Sequence, residues 1–384
     1  MSCNNFTNPS FAHSETLYAR ERFEEPASNV KPITRFRNIP LSYRYCRRIS
    51  FDAIIDNGNA SINSEDISIA EPAKSSKEFW VNAAASSFSP SFERIEHILY
   101  LSPSSKELNI AVHAEDSSIL LGIDVNAEKS SDFIINFLFS GGGNINTIDK
   151  IYLESSAKVE FNKIFDMGEG GSYTGSVFSS GQDNSFLSFN AVYANGKYFR
   201  TKNIFDACGK ASKAIVKSIS IGTSSQQFDI YNEVVNTGEN SDVAIYSDAL
   251  MGGDSKALVK DFADVAPGSY NSISYIKQRG MLLSSDAKIS AFPDMGIRNA
   301  NTKAEHYMSI GAIEEDQLFY VMARGINEKK AKNLIAVSSL LESTNSIKGE
   351  LAAVAFNRIF EKNFGMNDRY IDLGSLPNGC CGRG

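Results

Sequence analysis

The sequence predicts a mainly β protein that ends in helices, and three observations predict it. From about residue 98 to residue 297, short runs alternate apolar and polar residues and stop at Gly, Ser, Asn or Asp, the period of half-buried strands closed by turns. The later runs recur evenly. Taking Ile215, Phe228, Val243, Val259, Ile273 and Ile289 as markers, the steps are 13, 15, 16, 14 and 16 residues. After Gly311 the apolar spacing changes to that of helices. Even spacing of short strands suits either a sandwich or a solenoid of stacked coils, and no convincing sequence repeat decides between them.

Composition bounds the rest. With 384 residues, 42% of them apolar, the chain can build one large core with flanking pieces. A net charge of −7 argues against a general nucleic-acid coat, because phosphate binding needs a basic surface. The five cysteines, Cys3, Cys46, Cys208, Cys380 and Cys381, show no spacing of a disulfide framework. No apolar run approaches the roughly 18 residues of a membrane span. "MSCNNFTNPSFAHSE" lacks the basic and apolar blocks of a signal peptide. A reduced, cytoplasmic setting is expected, with no nucleic-acid and no membrane partner.

In chain order, Ser14 to Glu25 reads as a short helix capped by Ser14, and Pro26, Pro32 and Pro40 break helical structure beyond it. Lys31, Arg35, Arg37, Arg44, Arg47 and Arg48 form a basic stretch with Phe36, Tyr43 and Tyr45 between them. Such a stretch could stack on bases, but it reads more simply as an exposed amphipathic segment. "SINSEDISIAEPAKSSKEF" is polar and reads as a surface loop. "EFWVNAAASSF", with Trp80, reads as a short helix docked on the core. Within the β region, "FLSFNAVYANGKYF" points Leu187, Phe189, Ala191 and Tyr193 one way and turns at Asn195-Gly196. "IEEDQLFYVMAR" is a helix with Leu318, Val321 and Met322 on one side, acids in its first turn, and Gly325 as a left-handed cap. Asn327 caps a second helix with Ala331, Leu334, Ile335 and Leu341 on one face. A third helix offers Ile347, Leu351, Val354 and Ile359. The expected division is residues 1–95, helical and irregular; 96–312, the β core; 313–384, helices and a Gly-rich tail.

Catalytic motifs are missing. There is no G-x-x-x-x-G-K-[ST] loop, no G-x-S-x-G elbow, no H-E-x-x-H and no C-x-x-C. "SGGGN", Ser140 to Asn144, reads as a turn rather than a phosphate cradle. Three groups could hold a metal. Glu305 and His306 are adjacent, so on a strand they face opposite ways. His113 and Glu115 alternate to one face. Cys380 and Cys381 are vicinal thiols on the tail, suited to a soft metal with ligands from another chain. Each also has a plain reading: a packed histidine, an exposed strand face, and a tail without a site. Cys208 in "DACGKAS" reads as a small residue at a turn.

"AEHYMSIGAIEEDQLFYVMARGINEKKAKNLI", Ala304 to Ile335, resembles the signature of the SufB/SufD family of SUF iron–sulfur assembly scaffolds. Glu305, His306, Gly311, Leu318, Phe319, Tyr320, Arg324, Gly325 and Ala331 occupy its places. "GMLLSSDAKISAFPDMGI" resembles the strand pair before it, through Leu282, Leu283, Ser284, Asp286, Ala287, Pro293 and Ile297. "EFWVNAAASSF" and the entry segment are similar more loosely.

The resemblance implies a right-handed parallel β-helix with helical N- and C-terminal regions. It implies a homo- or heterodimer with a SufB/SufD-type subunit, paired at the C-terminal ends, and a SufC-type ABC ATPase gripping the C-terminal helices near Leu318, Phe319, Arg324, Gly325 and Leu334. It implies a transient iron–sulfur cluster held near His306 and Glu305, with the nucleotide site on the partner and no catalysis by this chain. SufB-type members carry a cysteine near the place of Lys288, and SufD-type members one at the place of Ala304. Both are absent, so the thiols would come from a partner or from Cys380 and Cys381. Two other readings are a β-solenoid interaction scaffold without a cluster, and a carbohydrate-active β-helix enzyme using His113, Glu115 and Asp124.

Overall fold

A computed structural model describes residues 50–70, 98–344 and 346–365, together with the two-residue strands β1 (Lys31–Pro32) and β2 (Arg35–Phe36). The expected helices at Ser14–Glu25 and around Trp80, most of the basic stretch, and Cys380 and Cys381 lie outside the described residues. The entry strands are β3 (Ala53–Asp56), β4 (Asn59–Ile62), β5 (Ile67–Ala70), β6 (Ile98–Leu101) and β7 (Glu107–His113). Regular coils begin with β8 (Ser118–Ala127), β9 (Asp132–Gly141), β10 (Asn144–Leu153), β11 (Lys158–Met167), β12 (Ser172–Gly181), β13 (Phe186–Ala194) and β14 (Tyr198–Ala207). They continue as β15 (Lys213–Gly222), β16 (Gln227–Asn236), β17 (Asp242–Met251), β18 (Lys256–Val265), β19 (Ser272–Leu282), β20 (Lys288–Ile297) and β21 (Thr302–Ala312). Three helices close the described chain: α1 (Glu315–Met322), α2 (Glu328–Thr344) and α3 (Glu350–Phe364).

From β6 onward, successive strands fall alternately into two sheets, and each pairs in parallel with the strand two places on. That is a parallel β-solenoid of about eight turns. The six evenly spaced markers sit on six consecutive strands, β15 to β20. Strand periodicity leaves the sandwich open; the parallel register of every regular pair settles it. One expectation needs correcting. The polar stretch from Ser61 contains the end of β4 and all of β5. Ile62, Ile67 and Ile69 contact the core there, and the serines between them hide the strand period.

The lumen between the sheets is aromatic through its middle. Leu187, Phe189, Ala191 and Tyr193 all face it, as their alternation requires. Rings stack from coil to coil: Phe139 on Phe165 at 4.6 Å, Phe165 on Tyr193 at 5.0 Å, and Phe161 on Phe189 at 6.1 Å between centroids. One ion pair is buried among them. Lys163 Nζ donates to Asp149 Oδ2 at 2.5 Å, Tyr173 Oη at 2.7 Å and Thr147 Oγ1 at 2.9 Å. Burial pushes the Asp149 carboxyl up against the pull of Lys163.

The sheet that holds β9, β11, β13, β15 and β17 is covered on its outer face too. Leu138, Ile164, Val192, Ile219 and Leu250 pack under Ala336, Leu340, Leu351, Phe356 and Ile359 of α2 and α3. Burial on both sides explains why apolar residues stand on the outer face of these strands as well as in the lumen. Of the residues expected on the third helix, Leu351 and Ile359 are buried, Ile347 is buried just before it, and Val354 is half-buried.

A column of amides crosses this interface. Asn162 Nδ2 donates to Asn136 Oδ1 and Asn190 Nδ2 to Asn162 Oδ1, both at 2.8 Å. Asn136 Nδ2 donates to Glu107 Oε1 at 2.7 Å and to Asn109 Oδ1 at 3.0 Å. The α2–α3 connection seats on this column. Asn162 Nδ2 donates to the Lys348 carbonyl at 2.9 Å, and Lys348 N–H donates to Glu160 Oε1. Gly349, at φ +107°, permits the approach, since a Cβ there would stand 2.9 Å from the Asn136 amide.

Candidate functional site

The last coil differs from the rest because no further strand covers it among the described residues. β20 and β21 are the edges of their sheets, and nearly every residue of β21 is exposed. Pro293 lies on β20, and an edge strand is where a residue without an N–H is tolerated. Among the described residues, every well-exposed large apolar side chain lies between Tyr270 and Met322. Scattered exposed apolar residues are ordinary, but a concentration of this kind is not.

Glu305 and His306 sit in the middle of β21. His306 pairs in register with Ile276, a buried lumen residue, and Glu305 pairs with Tyr275. Paired residues share a face, so the imidazole caps the lumen while the carboxylate stands on the outer face. The opposite-face expectation is thus met. Glu305 Oε1 lies 3.2 Å from Lys303 Nζ. An open groove on the outer face is lined by Tyr275, Lys277, Arg279, Glu305 and Tyr307 and bordered by His306. Tyr275, Lys277 and Arg279 alternate along β19. The sequence shows that alternation, but strand polarity alone does not single it out.

Beyond β21 the chain enters α1, which buries none of its residues. Leu318 is half-buried, whereas Phe319 is 73% exposed and Arg324 lies over the Tyr320 ring. Glu315 and Asp316 occupy the first turn. Gly325 has φ +84° and its N–H donates to the Met322 carbonyl, as a left-handed cap does. Asn327 Oδ1 accepts the Lys330 N–H at 2.9 Å and caps α2. Leu334 packs against the cluster under the helices.

Of the remaining candidates, His113 ends β7, and its Nε2 lies 3.3 Å from Glu115 Oε2, while Nδ1 is 3.0 Å from Ser140 Oγ. The two predicted residues do meet. Asp124, however, is in the other sheet and pairs with Lys150 at 3.4 Å, so the three do not form one carbohydrate-cleaving site. Among the described residues no group of three or more His, Cys, Asp or Glu is arranged to hold a metal. The "SGGGN" turn is a packing device: a Cβ on Gly141, at φ +102°, would stand 2.0 Å from the Ala114 carbonyl oxygen. Cys208 opens the turn after β14 and donates its thiol to the Gly181 carbonyl at 3.2 Å, a turn residue as its sequence context predicts. No described helix is long and apolar enough to cross a membrane.

Fold and site together define a parallel β-solenoid with one open, apolar end and helices folded back on one sheet. Residues 113–338, more than half of the chain, match the family described as "SUF system FeS cluster assembly, SufBD core domain". The chain belongs to this SufBD family. Among curated relatives, an iron-sulfur cluster assembly SufBD family protein of Porphyra purpurea is 28% identical over 147 residues, 38% of this chain and 30% of the relative. One of Antithamnion sp. is 30% identical over 138 residues, 36% of this chain and 46% of the relative. One of Synechocystis is 29% identical over 138 residues, 36% of this chain and 29% of the relative. The matched segment therefore spans less than half the length of each of these relatives.

Proposed function

We propose that the chain is a scaffold subunit for iron–sulfur cluster assembly that works through the open end of its solenoid. The observation that carries this reading is the gathering of the exposed apolar side chains on the last coil and α1, around Glu305 and His306. A second solenoid, of the same chain or of a SufB type, would cover β20 and β21. A SufC-type ATPase would take the bare face of α1 through Phe319 and Arg324, with Leu318, Gly325 and Leu334 holding its base. The cluster is cargo. His306 would offer neutral imidazole to iron, and Glu305 carboxylate oxygen. Ala304 and Lys288, at the family's cysteine positions, offer no thiolate, so soft ligands would come from the partner or from Cys380 and Cys381. The chain would contribute geometry rather than bond-breaking chemistry, with ATP hydrolysis in the partner.

The test is co-expression with the cognate ATPase and a cysteine-bearing SufB, purification without oxygen, and assay of subunit ratio, iron and sulfide. A stable complex whose iron falls severalfold with His306→Ala supports the reading. A chain that purifies alone, iron-free and indifferent to the ATPase, overturns it. The absent thiols favour a second reading, a solenoid interaction scaffold without a cluster, which predicts a stable complex whose iron is unchanged by His306→Ala.

A further inference from the structure

Helix α2 meets the edge of its sheet through a polar knot that the assembly reading leaves unused. Arg279, on β19, lies in register between Asp248 on β17 and Ser309 on β21. Its Nε donates to Asp248 Oδ1 at 2.7 Å and its Nη2 to Asp248 Oδ2 at 2.9 Å, a bidentate pair. The same guanidinium reaches the helix: Nη2 donates to Ser343 Oγ at 3.0 Å and Nη1 to Glu342 Oε2 at 2.7 Å. Ser343 Oγ donates back to Asp248 Oδ2. Lys277 Nζ, two residues before Arg279, lies 3.6 Å from Glu342 Oε2.

The members of this knot are unequal. Glu342 is exposed, and exposed ion pairs contribute little. Asp248 and Ser343 are buried, so the Asp248–Arg279–Ser343 bonds hold in a place where breaking one leaves a polar group without water. Planar, five-donor Arg279 can serve both strand and helix at once, which a lysine cannot. Position makes the knot more than a fastener. Arg279 and Lys277 line the groove they share with Glu305, His306 and Tyr307, and β19 is the strand hydrogen-bonded to β21. Beyond β21, α1 is bare. A pull on α1 and α2 therefore runs along α2, past the apolar contacts of Ala336 and Leu340, to the knot at its C-terminal end.

We propose that Arg279 is a positioning residue that couples α2 to the terminal strand, so that displacement of the helix is passed through β19 to β21 and changes how His306 and Glu305 are held. The proposal rests on the scaffold reading for what moves α2; the coupling itself is a property of this chain alone.

Hydrogen exchange of the full chain, read by mass spectrometry, tests it. The double variant Glu342→Ala/Ser343→Ala removes both acceptors on the helix and leaves the Arg279–Asp248 pair. Exchange in residues 302–312 should then rise at least about fivefold together with that of α2, while β9 to β13 stay unchanged. Arg279→Lys, which keeps the charge but not the fork, should loosen β21 in the same way. Lys332→Ala removes the Glu328 pair elsewhere on α2 and should leave β21 as it was. Release of α2 with β21 at its original exchange rate overturns the coupling, and so does loosening of β21 by Lys332→Ala. Iron plays no part in this readout. Coupled exchange in a chain that never binds iron would sink the scaffold reading alone, and uncoupled exchange in an iron-binding chain would sink the coupling alone.

Discussion

Strand β12 and strand β21 have similar lengths and the same parallel pairing, yet nearly all of β12 is buried and nearly all of β21 is exposed. The middle coils have an aromatic lumen, and α2 and α3 pack on the outside of one sheet. The last coil has a lumen that ends in His306 and Met308 and an outer face with no described cover. Identical backbone geometry therefore supports two tasks. The middle concentrates stability, and the end leaves apolar side chains exposed.

The largest effect should come from the middle. Phe165 is fully buried and touches the rings of Phe139, Tyr173, Tyr193 and Phe199. Phe165→Ala should cost about 3–5 kcal/mol in urea denaturation, whereas Phe292→Ala at the exposed end should change stability by no more than about 0.5 kcal/mol. Equal losses at the two sites would break the comparison.

A second effect lies where the lumen turns polar towards the open end. Asp261 is fully buried, accepts hydrogen bonds from Asn232 and Gln278, and is pushed by burial from 3.8 up to about 6. The folded chain thus holds this proton more tightly than the unfolded chain. Its favourable contribution is complete below about pH 4 and is lost as pH rises to about 6. The shift corresponds to roughly 3 kcal/mol. Asp261→Asn should remove that share of the slope, so the variant gains on the parent chain between pH 4.5 and pH 7. Parallel stability curves over that range would show that Asp261 does not titrate there.

Smaller effects sharpen the boundary. Asn162→Ala leaves Asn136 Oδ1 and the Lys348 carbonyl without their donor and should cost about 1–3 kcal/mol, with faster exchange in the α2–α3 connection. Lys303→Ala breaks only an exposed pair and should shift stability by less than about 0.5 kcal/mol. A larger loss there would mean that β21 is already covered in solution.

Much of this architecture is legible in the sequence because it is local. The lumen row of β13, the Gly325 and Asn327 caps and the opposed faces of Glu305 and His306 all derive from period or turn chemistry within a few residues. The illegible part depends on distant partners. Alternation looks the same in a sandwich and in a solenoid, because it records burial and not which strand lies alongside. The outer apolar rows of β9 to β17 gain their cover from helices far along the chain. Arg279 and Glu342 are 63 residues apart, and neither falls in a motif. Asn136, Asn162 and Asn190 read singly as ordinary polar positions; only the coil register lines them up.

That row of amides also has a direction. Every NH₂ points to the preceding coil and every carbonyl to the next, from the Glu107 carboxylate, which receives the first donor, to Asn190 Oδ1, which finds none among the described residues. Lys217 is next in register and breaks the row, its Nζ donating to Ser346 Oγ instead. The row is thus a tally of coils as well as a fastening. A coil added or dropped between Asn109 and Asn190 would leave buried amides unmatched unless it brought an asparagine to the same place, so a change in solenoid length in this stretch is tolerated only in whole turns that carry that residue.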